Sequence, residues 1–211
     1  MNVLIACEES QRVCLAFRKR GHQSFSCDIV DCSGDHPEWH IKQDVLPLLN
    51  GDCEFETMDG TYHRVNCKWD LIIAHPPCTY LSRAGASRLY PKGELNNDRF
   101  KKGIAAKDFF MAFYNADCDK ICIENPVPFK IFELPKYNQI IQPYEYGHPF
   151  SKATCLWLKG LDNMHPTCIL SKEKIQVAKK AAWFNKGGKY RQRNRSKTFE
   201  NIAEAMAEQW G

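Results

Sequence analysis

The chain has 211 residues, of which 44% are hydrophobic and 26% are charged, and its formal net charge is +4. This composition supports one substantial core and excludes an intrinsically disordered chain, which would carry fewer apolar residues and a larger net charge. No apolar stretch is long enough to cross a membrane and no signal peptide is visible. We therefore expect a cytoplasmic protein whose 11 cysteines are free thiols.

Short apolar runs alternate with helical spacing along the chain. An apolar run at 3–7, helical spacing through Val13, Cys14 and Phe17, and a second run at 24–28 predict a strand-helix-strand unit. Further strands are predicted at 40–45, 70–74, 120–123 and 154–158, and helices at 100–114 and 196–210. This alternation predicts an α/β fold with an open, mostly parallel, Rossmann-like sheet, formed as a single domain over 1–211.

The segment 171–195 differs from the rest of the chain because it is strongly basic. It has one acid, Glu173, against nine basic residues, which are Lys172, Lys174, Lys179, Lys180, Lys186, Lys189, Arg191, Arg193 and Arg195. It is the one segment that the sequence suggests as a mobile loop. Such a run is either a solvated loop or a surface that contacts phosphates.

Polar residues follow the predicted strands. They are Glu8, Glu9 and Ser10 after the first strand, Asp28 after the second, and then Asp44, His75 to Cys78, and Glu124 to Pro126. Open α/β sheets bind ligands beyond the carboxyl ends of their strands. These residues are therefore expected to gather along one edge of the sheet and to form the site.

Cys78 is the candidate nucleophile. Pro76 and Pro77 stiffen the backbone before it, and Arg83 follows nearby, which is a setting that can activate a thiol. The alternative is a small buried hydrophobic residue. Glu124 ends an apolar strand, where a desolvated carboxyl is expected to hold a proton and to pair with a ring nitrogen and an exocyclic amine. Its alternative role is to cap a helix.

Asp28 stands where dinucleotide-binding folds have the acid that binds a ribose. The glycine fingerprint of those folds is absent, since residues 6–10 contain no glycine. A pyrophosphate would need the close backbone approach that glycine permits. The pattern therefore favours a nucleoside cofactor without phosphates, such as S-adenosylmethionine.

These residues resemble the cytosine-5 DNA methyltransferase family, and the resemblance spans nearly the whole chain. Its motifs are the loop at 4–10, Asp28, Gln43-Asp44-Val45, the Pro-Cys loop at 77–82, Glu124-Asn125-Pro126, the strand entry at 146–154 and the helix at 199–210. The chain also resembles short phage and prophage members of the family, which implies the cytoplasm of a bacterium or of a phage-infected host.

The resemblance implies a class I S-adenosylmethionine-dependent methyltransferase that acts on DNA, with Cys78 and Glu124 as catalytic residues and no metal. The implied cofactor-binding residues are Ala6, Cys7, Glu8, Glu9, Ser10, Asp28, Ile29, Asp44, Val45, His75 and Pro76. The implied substrate-binding residues are Pro77, Ser82, Arg83, Asn125 and Lys152.

The implied reaction adds the Cys78 thiolate to C6 of cytosine while Glu124 contacts N3 and the amine. C5 then takes a methyl group, and loss of the C5 proton releases the enzyme. A base in duplex DNA must first be flipped out.

The sequence also departs from the family. The cofactor loop lacks the family's glycines. At the family's Gln-x-Arg-x-Arg motif this chain has Phe150, Lys152 and Thr154, so that Lys152 is the one position that keeps a positive charge. No target-recognition domain is evident, so a homodimer or a separate recognition subunit could be needed to supply that surface.

Other functions stay open at this stage. The same chemistry could act on a free pyrimidine nucleotide or on a single-stranded nucleic acid. Amino-methyltransferases of adenine N6 or cytosine N4 carry an aromatic residue after Pro-Pro, where this chain has Cys78. A non-catalytic cofactor-binding inhibitor or tether would have no use for both Cys78 and Glu124. A zinc site at Cys32, His36 and His40 is disfavoured because the segment is rich in turn residues.

Overall fold

A seven-stranded sheet forms the centre of the protein in the computed structural model, which describes residues 1–175 and 196–211. The strands of the chain are β1 (Asn2–Ala6), β2 (Gln23–Asp28), β3 (His40–Lys42), β4 (Cys53–Glu56), β5 (Tyr62–Val65), β6 (Leu71–Ala74), β7 (Ile121–Pro126), β8 (Gln139–Ile141) and β9 (Thr154–Lys159). The helices are α1 (Arg12–Lys19), α2 (Ala86–Leu89), α3 (Asn97–Tyr114) and α4 (Glu200–Trp210).

The strand order in the sheet is β3-β2-β1-β6-β7-β9-β8. The first five strands in this order pair in parallel, whereas β9 is antiparallel to both β7 and β8. The chain leaves β1 toward one edge of the sheet and returns through β6 toward the other. The boundary between β1 and β6 is therefore the topological switch point, beside which doubly wound sheets bind their ligands.

Both faces of the sheet are covered because its central strands are apolar on both sides. Along β1, Val3 and Ile5 pack with α1 and α4, and Leu4 and Ala6 pack with residues of α3 and of the hairpin β4–β5. All four side chains are fully buried. The Rossmann-like, mostly parallel α/β fold that the sequence predicts is confirmed.

Some strands and helix ends differ from the sequence-based prediction because contacts that the apolar pattern does not show determine them. The hairpin β4–β5 and the edge strand β8 were not predicted, because their exposed faces interrupt the apolar pattern. Strand β7 extends to Pro126 because β9 pairs with it along that length. Helix α3 begins at Asn97 because the side chain of Asn96 accepts a hydrogen bond from the Arg99 amide.

The terminal helix begins at Glu200 rather than at 196, after an extended Phe199. Most of the basic segment, 176–195, lies outside the described residues. Within 1–175 and 196–211, no helix is long and apolar enough to span a membrane. In the same part of the chain no group of three potential metal ligands comes together, and the ring of His40 instead bonds Ser26 and the carbonyl of Val30.

Candidate active site

The loop after β1 is held by a buried carboxylate. Glu8 is 4% exposed and accepts hydrogen bonds from the amides of Val13, at 2.7 Å, and Cys14, at 3.2 Å. These are first-turn amides of α1, which have no partner within the helix, so Glu8 caps this helix. Burial raises the pKa of Glu8. The carboxylate that the sequence assigns to the cofactor is thus engaged by the protein itself.

The remaining residues of this loop differ in their exposure. Ala6 is fully buried in the core and Ser10 is 7% exposed, whereas Cys7 is half-buried with a left-handed φ of 59°. The carbonyl of Glu9 accepts a hydrogen bond from the amide of Ser33 at 2.7 Å. The loops that follow β1 and β2 are therefore joined at the carboxyl edge of the sheet.

Gln11 makes a second link between the same loops, and sequence reasoning missed it. Its side-chain amide donates to the carbonyl of His36 at 2.8 Å, and its side-chain oxygen accepts from the His36 amide at 3.1 Å. Gln11 is fully buried, and Gly34 packs so closely that a Cβ there would lie 2.6 Å from the Gln11 Cβ. Nothing in the spacing of the sequence pairs Gln11 with residues so far along the chain.

Asp28 ends β2 beside exposed apolar side chains. Its carboxylate accepts a 3.3 Å hydrogen bond from the Val30 amide, and burial raises its pKa. Ile29 is 74% exposed and Val30 is 47% exposed. An acid next to an open apolar surface at a strand end is suited to a ribose and its flat base.

Asp44 follows β3 at the same carboxyl edge of the sheet. It is exposed and accepts a 3.1 Å hydrogen bond from the Leu46 amide, while its neighbour Val45 is buried in the core. Burial raises the pKa of the Cys7 thiol, and the negative charges of Asp28 and Asp44 raise it further. The ends of β1, β2 and β3 therefore converge, as the sequence predicts.

The loop that carries Cys78 begins at the end of β6. Pro76 is buried, Pro77 is exposed and Cys78 is half-buried. The side-chain amide of Asn125 donates to the Pro76 carbonyl at 2.8 Å, and the Cys78 carbonyl accepts from the Ser82 amide at 3.0 Å. The loop is thus fastened to β7 just before the thiol and closed into a turn just after it.

Beyond the turn, the loop pairs with the segment that follows β7. The Arg83 amide donates to the Val127 carbonyl at 3.0 Å, and the Phe129 amide donates to the Leu81 carbonyl at 2.7 Å. The buried Ser82 uses its hydroxyl oxygen to accept from the Ala84 amide at 3.1 Å. Arg83 itself is exposed.

Arg99 of α3 also bonds the loop, and sequence reasoning missed it. Its guanidinium donates to the Thr79 carbonyl at 2.7 Å and lies 5.0 Å from the centre of the Tyr80 ring. Thr79 is the residue after Cys78, so this contact fixes the backbone next to the thiol.

His75 and Glu124 form a buried pair between the two central loops. His75 Nδ1 lies 2.9 Å from Glu124 Oε2, and the two side chains are 12% and 13% exposed. Burial alone would raise the pKa of Glu124, but the hydrogen bond and charge of His75, together with Lys152, lower it to about 2. Burial would lower the pKa of His75, but its bond to Glu124 raises it overall. The prediction of a protonated Glu124 is therefore wrong, because the sequence does not reveal its histidine partner.

Two residues just before α4 also reach this edge. The Thr198 hydroxyl donates to Glu124 Oε2 at 3.4 Å, and Lys197 Nζ donates to the Ser33 hydroxyl at 2.9 Å. Lys197 also lies 4.0 Å from Glu9. The sequence relates the terminal helix to the cofactor, but it gives no sign that these two residues make the contact.

Two polar atoms at this edge are buried without a hydrogen-bond partner in the described part of the chain. They are Nε2 of His75 and Oδ1 of Asn125. Buried polar atoms are normally paired, and an unpaired one is expected where a ligand or water completes the bonding. Both atoms belong to residues beside the Cys78 loop.

The fold defines a Rossmann-like α/β protein, with a candidate ligand site at the carboxyl edge of its sheet. No protein-family model matches the sequence, and no curated protein matches it. Among solved structures, the chain is similar to a protein of an Escherichia coli prophage that is described as a predicted DNA modification methyltransferase. The identity is 15% and the TM-score is 0.45, over 81% of this chain and 52% of that one. The chain thus spans about half the length of that structure.

Proposed function

We propose that the protein is an S-adenosylmethionine-dependent methyltransferase that acts at C5 of cytosine in DNA through a covalent adduct of Cys78. One observation carries the proposal, which is that the Cys78 loop is bonded to the strand that bears Glu124. Asn125 holds the Pro76 carbonyl, and His75 holds the Glu124 carboxylate. A nucleophile in the loop after β6 and a base-binding carboxylate on the adjacent parallel strand β7 suit a flat ring between them.

The sheet supports a methyltransferase. The strand β9 is an antiparallel strand inserted before the last position of a doubly wound sheet, and this insertion is typical of class I methyltransferases. A dinucleotide enzyme would be expected to have the glycine-rich first loop, which this chain lacks.

The described residues fit S-adenosylmethionine at the ends of β1 to β3. Asp28 would bind the ribose hydroxyls, and Ile29 offers an exposed apolar surface to the adenine. Glu9 and Asp44 lie on the same edge. Glu9 and Lys197 present one negative and one positive charge, which would suit the amino and carboxylate groups of the cofactor. When bound, the cofactor supplies an electrophilic methyl group.

The protein's own residues would prepare the pyrimidine. Cys78 adds its thiolate to C6, and Glu124 accepts a hydrogen bond from the exocyclic amine at the other side of the ring. Asn125 and Arg99 hold the loop so that the thiol meets the ring at a fixed distance. Addition at C6 makes C5 nucleophilic, which is the change that methylation at carbon requires.

The choice of DNA as substrate is supported by charge. Basic side chains are exposed along the Cys78 loop and at the start of α3, and they are Arg83, Arg88, Lys92, Lys101 and Lys102. The segment 172–195 adds nine more basic residues in the sequence. A positive surface beside a reactive thiol is what a polyanionic substrate needs.

A trapping assay tests the proposal. The protein is incubated with S-adenosylmethionine and a duplex, a single strand or a mononucleotide that contains 5-fluorocytosine, and the intact mass is measured. We expect an adduct with wild type and with Cys67→Ser, an exposed cysteine used as the control, and none with Cys78→Ser. The proposal fails if the adduct persists in Cys78→Ser, or if no pyrimidine form reacts while the cofactor still binds.

The cofactor pocket is tested separately by calorimetry. Asp28→Ala is expected to weaken S-adenosylmethionine binding by at least about tenfold, because it removes a charged hydrogen-bond acceptor. Asp59→Ala, in the turn of the hairpin β4–β5, is the matched control and should leave binding unchanged. Unchanged binding in Asp28→Ala would contradict the assigned pocket.

A further inference from the structure

The hydrogen bond and charge of His75 favour an ionised Glu124, and an ionised carboxylate leaves the proposed reaction without a proton donor. Addition of a thiolate to C6 drives an electron pair onto N3, and N3 must then take up a proton. A carboxylate that carries no proton can accept a hydrogen bond from the exocyclic amine, but it cannot protonate N3. The proton must therefore reach Glu124 from a group that touches it.

His75 is suited to supply that proton. Among the described residues that contact Glu124, His75 is the group whose side chain exchanges a proton near neutral pH. Its Nδ1 lies 2.9 Å from Glu124 Oε2, which is a distance for direct transfer. Its backbone amide is bonded to the Ala6 carbonyl at 2.9 Å, so the ring is carried on a fixed part of the sheet.

We propose that His75 supplies, through Glu124, the proton that N3 of the pyrimidine takes up when Cys78 adds to C6. This inference rests on the proposed function. In this arrangement Glu124 is the group that touches the base, and His75 acts through it.

The step balances as follows. The sulfur-to-C6 bond forms, the C5–C6 double bond shifts to C4–C5, and the π electrons of the C4–N3 double bond become a lone pair on N3. Glu124 first receives the Nδ1 proton of His75 on Oε2, and as a carboxylic acid it then passes that proton to N3, which leaves His75 neutral and Glu124 ionised again. After methylation, water takes the C5 proton, the C5–C6 double bond re-forms and the thiolate departs. N3 then returns its proton through Glu124 to His75, and the pair is restored.

The charges around His75 suit a protonated ring before the addition. Glu124 on β7 and Glu8 after β1 both stabilise the imidazolium, whereas Lys152 before β9 opposes it. The two oxygens of Glu8 already accept from amides of α1, so Glu8 acts on His75 by charge and leaves its Nε2 unpartnered. The net effect of these groups keeps the proton on His75 to a pH above its ordinary value of 6.5.

The experiment measures the rate of adduct formation with 5-fluorocytosine DNA and S-adenosylmethionine between pH 5.5 and 9.5. His75→Gln retains an amide that can donate to Glu124 but has no exchangeable proton in this range. His165→Gln is the matched control, because His165 is exposed and bonds Gln209 through its backbone. In parallel, nitrogen-15 spectra of the histidine rings report the titration of His75 in wild type and in Glu124→Gln.

We expect the wild-type rate to fall with rising pH where His75 loses its proton. His75→Gln should be about 100-fold slower, and its rate should lack that fall, since general acid catalysis contributes on this scale. His165→Gln should match wild type. The inference is wrong if His75→Gln reacts within threefold of wild type and keeps the same pH dependence.

Two further results keep the inference testable. If His75→Gln does not fold, a wild-type rate that falls more than one pH unit from the His75 titration overturns the proton route. If wild type forms no adduct with any pyrimidine, the proposed function itself has failed, and the proton route fails with it. A failure of the route alone is recognised because the wild-type adduct then still forms.

Discussion

Asn125 donates a 2.8 Å hydrogen bond from its side chain to the carbonyl oxygen of Pro76. Asn125 is 2% exposed, so this bond is made out of contact with solvent. It joins β7, which carries Glu124, to the loop that carries Cys78 two residues later. The position of the Cys78 loop relative to Glu124 therefore depends on this side-chain bond.

Asn125→Ala should slow adduct formation by at least tenfold. The Pro76 carbonyl would lose its partner in a buried place, which costs about 1–3 kcal/mol, and the loop would be free to shift. Asn138→Ala is the control, because Asn138 accepts a 2.8 Å bond from the Leu158 amide at the exposed edge of the sheet. The two variants are compared by chemical denaturation and by adduct rate. Equal adduct rates in both variants would show that the bond does not position Cys78.

Arg99→Lys should also slow the adduct while cofactor affinity stays the same. A lysine keeps the charge but loses the planar group that bonds the Thr79 carbonyl and lies over Tyr80. We expect a reduction of about tenfold in the adduct rate, since one hydrogen bond and one cation–π contact are weakened. Arg64→Lys on the exposed hairpin is the control. A parallel loss of S-adenosylmethionine binding would instead indicate a general disturbance of the fold.

The sequence predicts the sheet more fully than it predicts the site. Fully buried runs such as Leu71–Ala74 can be recognised by composition alone, and the residues that follow them must then lie at one edge. This is why Asp28, Asp44, His75 and Glu124 were expected together. The hairpin β4–β5 has alternating exposed residues and a short length, so its pattern is weak.

Contacts between distant residues are what the sequence does not reveal. His75 and Glu124 are 49 positions apart, and Thr198 is 74 positions from Glu124. The protonation of Glu124 depends on these partners more than on its own strand, so the expectation from burial alone had the wrong sign. The roles of Glu8, Gln11 and Arg99 likewise become visible only when the loops are seen packed.

The His75–Glu124 pair should make stability depend on pH in a defined window. The pKa of Glu124 falls from 4.5 to about 2 on folding, so its contribution is present above about pH 4.5 and is lost as the pH drops toward 2. The pKa of His75 is raised above 6.5, so its contribution is present below 6.5 and is lost as the pH rises through the folded value. The pair should therefore stabilise the fold most between pH 4.5 and 6.5.

Urea denaturation at several pH values measures this window. Inside this pH window the free energy of unfolding of wild type should exceed that of Glu124→Gln by roughly a few kcal/mol. The difference should shrink at lower and at higher pH. Asp59→Asn provides the control, because Asp59 is an exposed acid in a hairpin turn that bonds threonine hydroxyls. A constant difference between wild type and Glu124→Gln across all pH values would argue against an ion pair.

Salt dependence should separate DNA from a free nucleotide as the substrate. A protein that neutralises four phosphates loses about 100-fold in affinity between 50 and 200 mM salt, whereas a mononucleotide has one phosphate and should lose only a few-fold. We expect the steep dependence for duplex DNA, measured by fluorescence anisotropy. Replacing Lys92, Lys101 and Lys102, which are exposed before and within α3, with glutamine should reduce the slope by roughly one per lost contact.

The matched control replaces Lys19, Lys68 and Lys120, which are exposed at the end of α1 and just before β6 and β7. Because parallel strands begin at the edge opposite the site, Lys68 and Lys120 lie away from Cys78, and the slope should stay the same. A shallow slope for duplex DNA, together with an adduct on the 5-fluoro mononucleotide, would assign the same chemistry to a free pyrimidine nucleotide. If the slope for duplex DNA is steep and both sets of three replacements reduce it equally, DNA binds through overall charge and not at the edge of the sheet that bears Cys78.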